Sequence, residues 1–458
     1  MASLSEQAAA WMHGLEFEDL PAEVVASAKL RLLDSLGLML IASAGPFGVA
    51  ILESVTAMGG GGESSIVGAG TRSSAMLAAM ANGALAEALQ FDDTHNETII
   101  HATSPASAAA LAIGEMNGAS GRDVLTAFAG GTELTCRIGV IAPGQFHGRG
   151  LHPTGIIGTF GSAYAACKLM KLDSERTAAA LGHAASFASG ILACWEDGTD
   201  TQFLHPGWSA HAAIAAACYA RAGLTGPRAA IEGRFGLIAS HIQDRTYKPD
   251  FDRMTRGLGD LWESLNTSFK PYPAAHIIHP FLDAILYLHR AEGLRAAQVK
   301  RITIRPAAYM IGVMCEPASE KLAPKTPAHG RVSLQYSLAE ALYRGGLDGS
   351  AYSEEDIRNP EILALARKIG YEADPTAPGT ERYKGWVIVE TTDGRRLERI
   401  EDYNWGSRER PMTEADVQAK FRANARHALD ESRIEQVIGM VGSLESIGDI
   451  RALMDICR

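Results

Sequence analysis

The stretch Thr154-Gly-Ile-Ile-Gly-Thr-Phe-Gly-Ser-Ala-Tyr-Ala-Ala-Cys-Lys-Leu-Met170 decides what kind of fold this chain adopts. It is dense in Gly and Ala, and its only formal charge is Lys168. Small residues let helix axes approach closely, so the run reads as a helix packed among helices. The same texture recurs at 106–116, 121–138, 174–188 and 209–222. Upstream, Val24, Val25, Ala28, Leu32, Leu33 and Leu36 fall at helical spacing over 21–44, with Pro21 suited to the first turn. The run Gly59–Gly62 is a loop, and 65–67 a short strand before helices resume at Ser74. No uncharged run approaches the ~20 apolar residues of a membrane span.

After about Asn266 the texture changes. Residues 299–304 alternate like a strand, and 386–391, Asp393-Gly394 and 396–400 read as a β-hairpin. Helices are expected at 332–343 and 360–368, and Thr413 with Asp416 reads as a capping box. The expectation is a mainly α protein. A large all-helical domain (1–265) carries a smaller α+β insertion (266–400), and 401–458 returns to the helical part.

Composition narrows the function. Of 458 residues, 47% are hydrophobic and 21% charged, enough for a sizeable core. The formal charge is -11 with scattered basic residues, which argues against nucleic acid and leaves room for an anionic metabolite in a local cationic pocket. The first twelve residues do not resemble a signal peptide. The six cysteines lack any CxxC pair, so no disulfide scaffold, zinc ribbon or iron–sulfur cluster is expected. A reduced, cytoplasmic setting follows as an expectation, with no membrane partner.

Four segments concentrate polar residues where a plain core would not want them. The first is Phe91-Asp-Asp-Thr-His-Asn-Glu97, followed by His101 and Ser104-Pro105. Capping of the flanking helices is its bland explanation. The second is His147-Gly-Arg149-Gly-Leu-His152-Pro-Thr-Gly155, where Arg149 near a helix start could hold a carboxylate. It lacks the Lys-Ser/Thr of a P-loop. The third is Asp197-Gly-Thr-Asp-Thr-Gln202-Phe-Leu-His205-Pro-Gly207, leading into a helix. The fourth is Phe269-Lys270-Pro-Tyr-Pro273, a stiff segment suited to a fixed cation, with His276 and His279 beyond it. That histidine pair has no HExxH companion and reads as a core or supporting pair rather than a metal site.

In order and spacing, these segments resemble the MmgE/PrpD family, which includes 2-methylcitrate dehydratase, cis-aconitate decarboxylase and iminodisuccinate epimerase. Gly223-Leu-Thr-Gly-Pro227 with Glu232-Gly, Asp283-Ala and Ser333-Leu-Gln-Tyr336 extend the resemblance over nearly the whole chain. The resemblance implies a helical domain holding both termini, an α+β lid domain, a homodimer, and no metal or organic cofactor. It places the active site between the domains. Carried over by position, it assigns catalytic roles to Asp93, His101, His152 and Lys270. The same resemblance makes Thr94 and, after the first lid strand, Tyr309 substrate-binding residues, and Arg149, Gln202 and His205 from the segments above complete the expected substrate-binding set.

Two departures stand out. Decarboxylase-like members carry an acid at the Gln90 position and a lysine at the Gln202 position. Losing that cation should weaken the grip on one substrate carboxylate, so fewer carboxylates, or an amide or amine, are expected there. The chemistry implied is removal of a proton from carbon next to a carboxylate, with histidine as base and Lys270 holding the developing charge. A lyase of dehydratase or decarboxylase type is the first reading. An epimerase acting on a small amino- or hydroxy-dicarboxylate is the alternative, and a non-catalytic anion-binding member the third.

Overall fold

A computed structural model describes residues 2–458 of a mainly helical chain with only small sheets. The helix Ala22–Ser43 begins directly after Pro21 and buries Leu32, Leu33, Leu36, Met39 and Leu40. Against it and one another pack Ala75–Glu87, Thr103–Asn117, Gly121–Gly139, Pro153–Leu169 and Thr201–Arg221. Glycine sets how close these axes come. A Cβ on Gly131 would meet the Gly161 carbonyl at 2.6 Å, and one on Gly207 would meet the Met80 carbonyl at 2.1 Å. Any larger residue would force the helices apart.

The end of the chain belongs to this same core. Glu414–Ala425 opens with the Thr413–Asp416 capping box and packs on Ala22–Ser43. Phe421, Ala425, Ile434, Val437 and Leu453 join the cluster that holds Leu32 and Leu36. A second apolar core lies between. It draws Phe281, Ile285, Ile302, Leu338, Val387 and Val389 together. Its frame is a four-stranded mixed sheet in the order Ile369–Tyr371, Val299–Ile304, Gly385–Thr391, Arg396–Glu401, only the first pair being parallel. The helix His279–Ala291 covers this sheet and packs beside Leu334–Arg344.

Several elements depart from the reading of the sequence. The helix expected from 209 begins at Thr201 and runs through Pro206, although proline offers no N–H to the preceding turn. The span 222–266 is mostly irregular, with the short helices Leu237–Ile242 and Asp252–Thr255. Helices Leu4–Gly14, Pro46–Ala57 and His279–Ala291 went unanticipated. All six cysteines are free. Among the described residues no single helix is long and apolar enough to cross a membrane.

Candidate active site

A cavity of about 320 Å³ opens where the helical part meets the sheet-bearing part. Gln90, Thr94, His101, His147, His152, Trp195 and Gln202 form one side of it. Lys270, His276, Ile277, Tyr309, Val313 and Met314 form the other. A two-residue antiparallel pairing brings the halves together, Thr94 opposite Ser268 and His95 opposite Thr267. That register sets the Asp92–Asp93 pair beside Lys270. Arg31 fixes it from beneath, with Nη1 on Asp93 Oδ2 at 2.5 Å and Nη2 donating to the Thr267 carbonyl at 2.6 Å. Lys420 fixes the neighbouring residue, donating to Asp34 at 3.0 Å and to the Phe91 carbonyl at 2.8 Å.

His101 is the group best prepared for chemistry. Its Nδ1 lies 2.8 Å from the Asp93 carbonyl, which can only accept, so Nδ1 carries the proton and Nε2 keeps its lone pair. The His101 backbone N–H is held by Thr154 Oγ1 at 3.0 Å. Burial lowers the imidazole below its ordinary pKa, with Asp92 opposing and Lys270 reinforcing the shift. A neutral imidazole at neutral pH results. Asp92 Oδ1 lies 3.4 Å from His101 Nδ1 and 3.5 Å from Lys270 Nζ, while Oδ2 accepts from Ser104 at 2.5 Å.

Lys270 is 1% exposed and donates to the Gln90 carbonyl at 3.1 Å. Burial lowers its pKa, and Asp92 and Glu87 work against that shift. To present its carbonyl, Gln90 takes a left-handed backbone (φ 50°), which costs a non-glycine residue about 1–2 kcal/mol. Ile99, also on the wall, has φ 56°. Strain of this kind gathers at functional sites.

Opposite His101 stands His152, at the start of Pro153–Leu169, their ring centres 5.9 Å apart. Its Nδ1 is 2.9 Å from His205 Nδ1, so only one of these two nitrogens carries a proton. Burial, followed by the neighbouring imidazoles, drives the His152 pKa well down. Its Nε2 faces Glu87 Oε1 at 3.8 Å. Burial and then Asp92 push the Glu87 carboxyl well above the usual carboxylate range.

The structure sorts the expected residues. Thr94, His101, His152, Gln202, Lys270 and Tyr309 share the cavity wall. Thr94 Oγ1 lies 3.3 Å from His101 Nδ1, and burial pushes the Tyr309 phenol up to about 12. Asp93 does not reach the cavity: its carboxylate is spent on Arg31 and on Thr103 Oγ1 at 2.5 Å, and its carbonyl does the work. Arg149 points outward to Asp244 at 3.3 Å, its side chain 40% exposed. His205 sits behind His152 rather than on the wall. Gln202 lines the cavity with its amide already engaged, accepting from Trp195 Nε1 (2.5 Å) and Gln90 Nε2 (3.1 Å) and donating to Glu87 Oε1 (3.0 Å).

Glu87 and His147 were missed as site residues, and His276 was read as a supporting group. Glu87 could have been found as the lone charge in the Ala-rich helix Ala75–Glu87. Donor atoms of Glu87, His101 and His152 lie within 4.8 Å of one another, a spacing that could hold a metal ion. The chemistry of the set is less accommodating. Lys270 bears electrostatically on both Glu87 and His101, and burial favours the protonated Glu87.

Cis-aconitate decarboxylase of Aspergillus terreus (strain NIH 2624 / FGSC A1156) is 24% identical, the match covering 97% of this chain and 94% of that protein. The Homo sapiens cis-aconitate decarboxylase is 27% identical over 100% of this chain and 95% of its own length. The sequence profile of the MmgE/PrpD N-terminal domain matches residues 6–250, and that of the MmgE/PrpD C-terminal domain matches 272–445. The two profiles together span most of the chain, which therefore belongs to the MmgE/PrpD family.

Proposed function

We propose that this protein is a lyase that removes a proton from the carbon next to a carboxylate of a small anionic substrate. The observation that carries this reading is the tautomer of His101. With Nδ1–H held by the Asp93 carbonyl, a neutral Nε2 is available as general base beside a buried ammonium. Lys270 holds the substrate carboxylate and offsets the enediolate-like charge that forms as the proton leaves. The second proton carrier is the Glu87/His152 pair. Burial keeps the proton on Glu87, and His152, whose Nε2 lies 3.8 Å from that carboxyl, is the member of the pair on the cavity wall. Relatives named for cis-aconitate decarboxylation support the lyase class. Residues 266–400 are read as a lid that closes over the cavity and excludes water, supported by their supplying Lys270, Ala275, His276, Tyr309 and Met314 to its wall.

Epimerisation is the second reading, favoured by one observation. Two neutral imidazoles with centres 5.9 Å apart can address one carbon from opposite sides. Incubation in deuterated water with hydroxy-, amino- and unsaturated carboxylates, followed by NMR, separates the two. Net elimination or loss of carbon dioxide identifies the lyase, and exchange without either identifies the epimerase. A cytoplasmic homodimer completes the proposal. It draws support from the free cysteines and from the exposed Leu204, Trp208 and Tyr219 on the helix Thr201–Arg221.

A further inference from the structure

The wall of the cavity carries one ammonium, Lys270, and no arginine. Part of that charge is already answered by Asp92 at 3.5 Å. The imidazoles of His101, His147, His152 and His276 are all held toward their neutral forms by burial, so none adds a fixed charge. Gln202 adds nothing either, because its oxygen serves Trp195 and Gln90 and its nitrogen serves Glu87. Each further carboxylate brought into this space would be buried without a countercharge, which is costly.

Three buried polar atoms on lining residues lack a partner: Gln90 Oε1, His147 Nδ1 and His276 Nδ1. Gln90 Oε1 is a buried acceptor with no donor, on a side chain 5% exposed. His276 supplies the converse. Asn404 Nδ2 lies 3.2 Å from the Trp405 carbonyl, which fixes that nitrogen as a donor, and it also lies 2.9 Å from His276 Nε2. His276 Nε2 therefore accepts and Nδ1 carries the proton, and that buried Nδ1 has no partner. Buried polar groups call for a partner, and on these lining residues a ligand can supply it. The rest of the wall is apolar, with Ile99, Ile277, Val313, Met314 and Val332.

We propose that the substrate carries a single carboxylate, held by Lys270 and His276 Nδ1–H, an uncharged hydroxyl or carboxamide donor directed to Gln90 Oε1, and a short apolar body. This rests on the reading of the site as an acid–base centre, and it excludes di- and tricarboxylates as preferred ligands.

The test uses the full-length protein and four probes: butanoate, 3-hydroxybutanoate, malate and citrate. Malate differs from 3-hydroxybutanoate by a carboxylate in place of a methyl group, and butanoate lacks the hydroxyl. Dissociation constants from ligand-observed NMR are expected to place 3-hydroxybutanoate at least ~10-fold tighter than the other three, the scale of one hydrogen bond or one buried charge. Gln90→Leu should bring 3-hydroxybutanoate down to butanoate, and Gln202→Lys should shift relative affinity toward malate by ~10-fold or more. Equal binding of the four, or tighter binding of malate or citrate, overturns the proposal without reference to any variant. Deuterium exchange from substrate carbon, lost in His101→Gln, reports separately on the acid–base reading. Absence of exchange with the binding order intact would remove that reading alone.

Discussion

At the scale of single residues, the site turns on which side of a short segment each group faces. Asp92 and Asp93 are neighbours, yet one carboxylate meets Lys270 and the other is consumed by Arg31. The sequence shows both acids and the histidine that follows, but spacing alone does not say which acid turns toward the cavity. Arg149 illustrates the reverse. Glycines and a helix start made it look like an anion holder, while its chain leads it to Asp244 at the surface. The two glutamines that depart from the decarboxylase pattern touch each other, so the loss of a base is matched by the loss of an acid. His101→Ala should lower turnover by about 100-fold or more with an unchanged circular dichroism spectrum. Near-normal turnover would remove the base assignment. The pH profile of kcat/KM supplies a second check. His101 must be neutral to accept a proton, and its lowered pKa moves the acid limb below the ordinary imidazole value of about 6.5. Lys270 must be charged, and its lowered pKa brings the alkaline limb below an ordinary lysine's, about 10.4. An acid limb above 6.5 would contradict the burial of His101.

Among the elements, helix-rich organisation was legible because Ala- and Gly-rich runs of this length have few other uses. What the sequence concealed was continuity through Pro206 and the identity of the contact that permits it. Gly83 and Gly207 meet where Ala75–Glu87 crosses Thr201–Arg221, a Cβ on Gly83 lying 2.8 Å from Gly207 Cα. Four residues beyond that crossing, Glu87 accepts the Gln202 amide at 3.0 Å. Gly83→Ala should cost about 1–3 kcal/mol by overpacking and should lower turnover by parting Glu87 from Gln202. Gly439→Ala is the matched control. It lies in Glu431–Gly442 with nothing within 4 Å of an added Cβ, so stability should hold or rise by up to ~1 kcal/mol. Chemical unfolding and initial rates on both variants check the pair, and equal losses would show that the crossing has no special role.

For the whole molecule, two expectations concern solvent conditions. Exhaustive chelation should leave activity intact. If it abolishes activity and one divalent ion restores it, Glu87, His101 and His152 become ligands and the proton-transfer scheme fails. Acid should act through histidine. Burial holds His147 at about 3 and His205 at about 4 in the folded chain, against about 6.5 unfolded. In that window the unfolded state binds more protons, so these groups leave stability whole above about pH 6.5 and withdraw it as pH falls toward 4 and then 3. Calorimetry should show Tm nearly level from pH 7 to 8 and falling steadily below 6.5. A Tm indifferent to pH between 6.5 and 4 would mean these rings are solvated. The strands of the four-stranded sheet follow the change of texture seen near Asn266. The membership of the last forty or so residues in the first core came as a capping box at Thr413, and the structure supplies the reason in Phe421 and Ala425.

The link from Lys420 to Asp34 and Phe91 has a consequence for biosynthesis. The partners in the first of these bonds are 386 residues apart in the chain. A ribosome moving at about 5–20 residues per second exposes Asp34 long before it releases Lys420. Throughout that interval the nascent helices wait with the face meant for Phe421 and Ala425 uncovered, and the floor beneath Phe91 lacks its ammonium. The helices made after that interval therefore complete the floor of the candidate site, and a chain that stops before Lys420 leaves Asp34 and the Phe91 carbonyl without their ammonium.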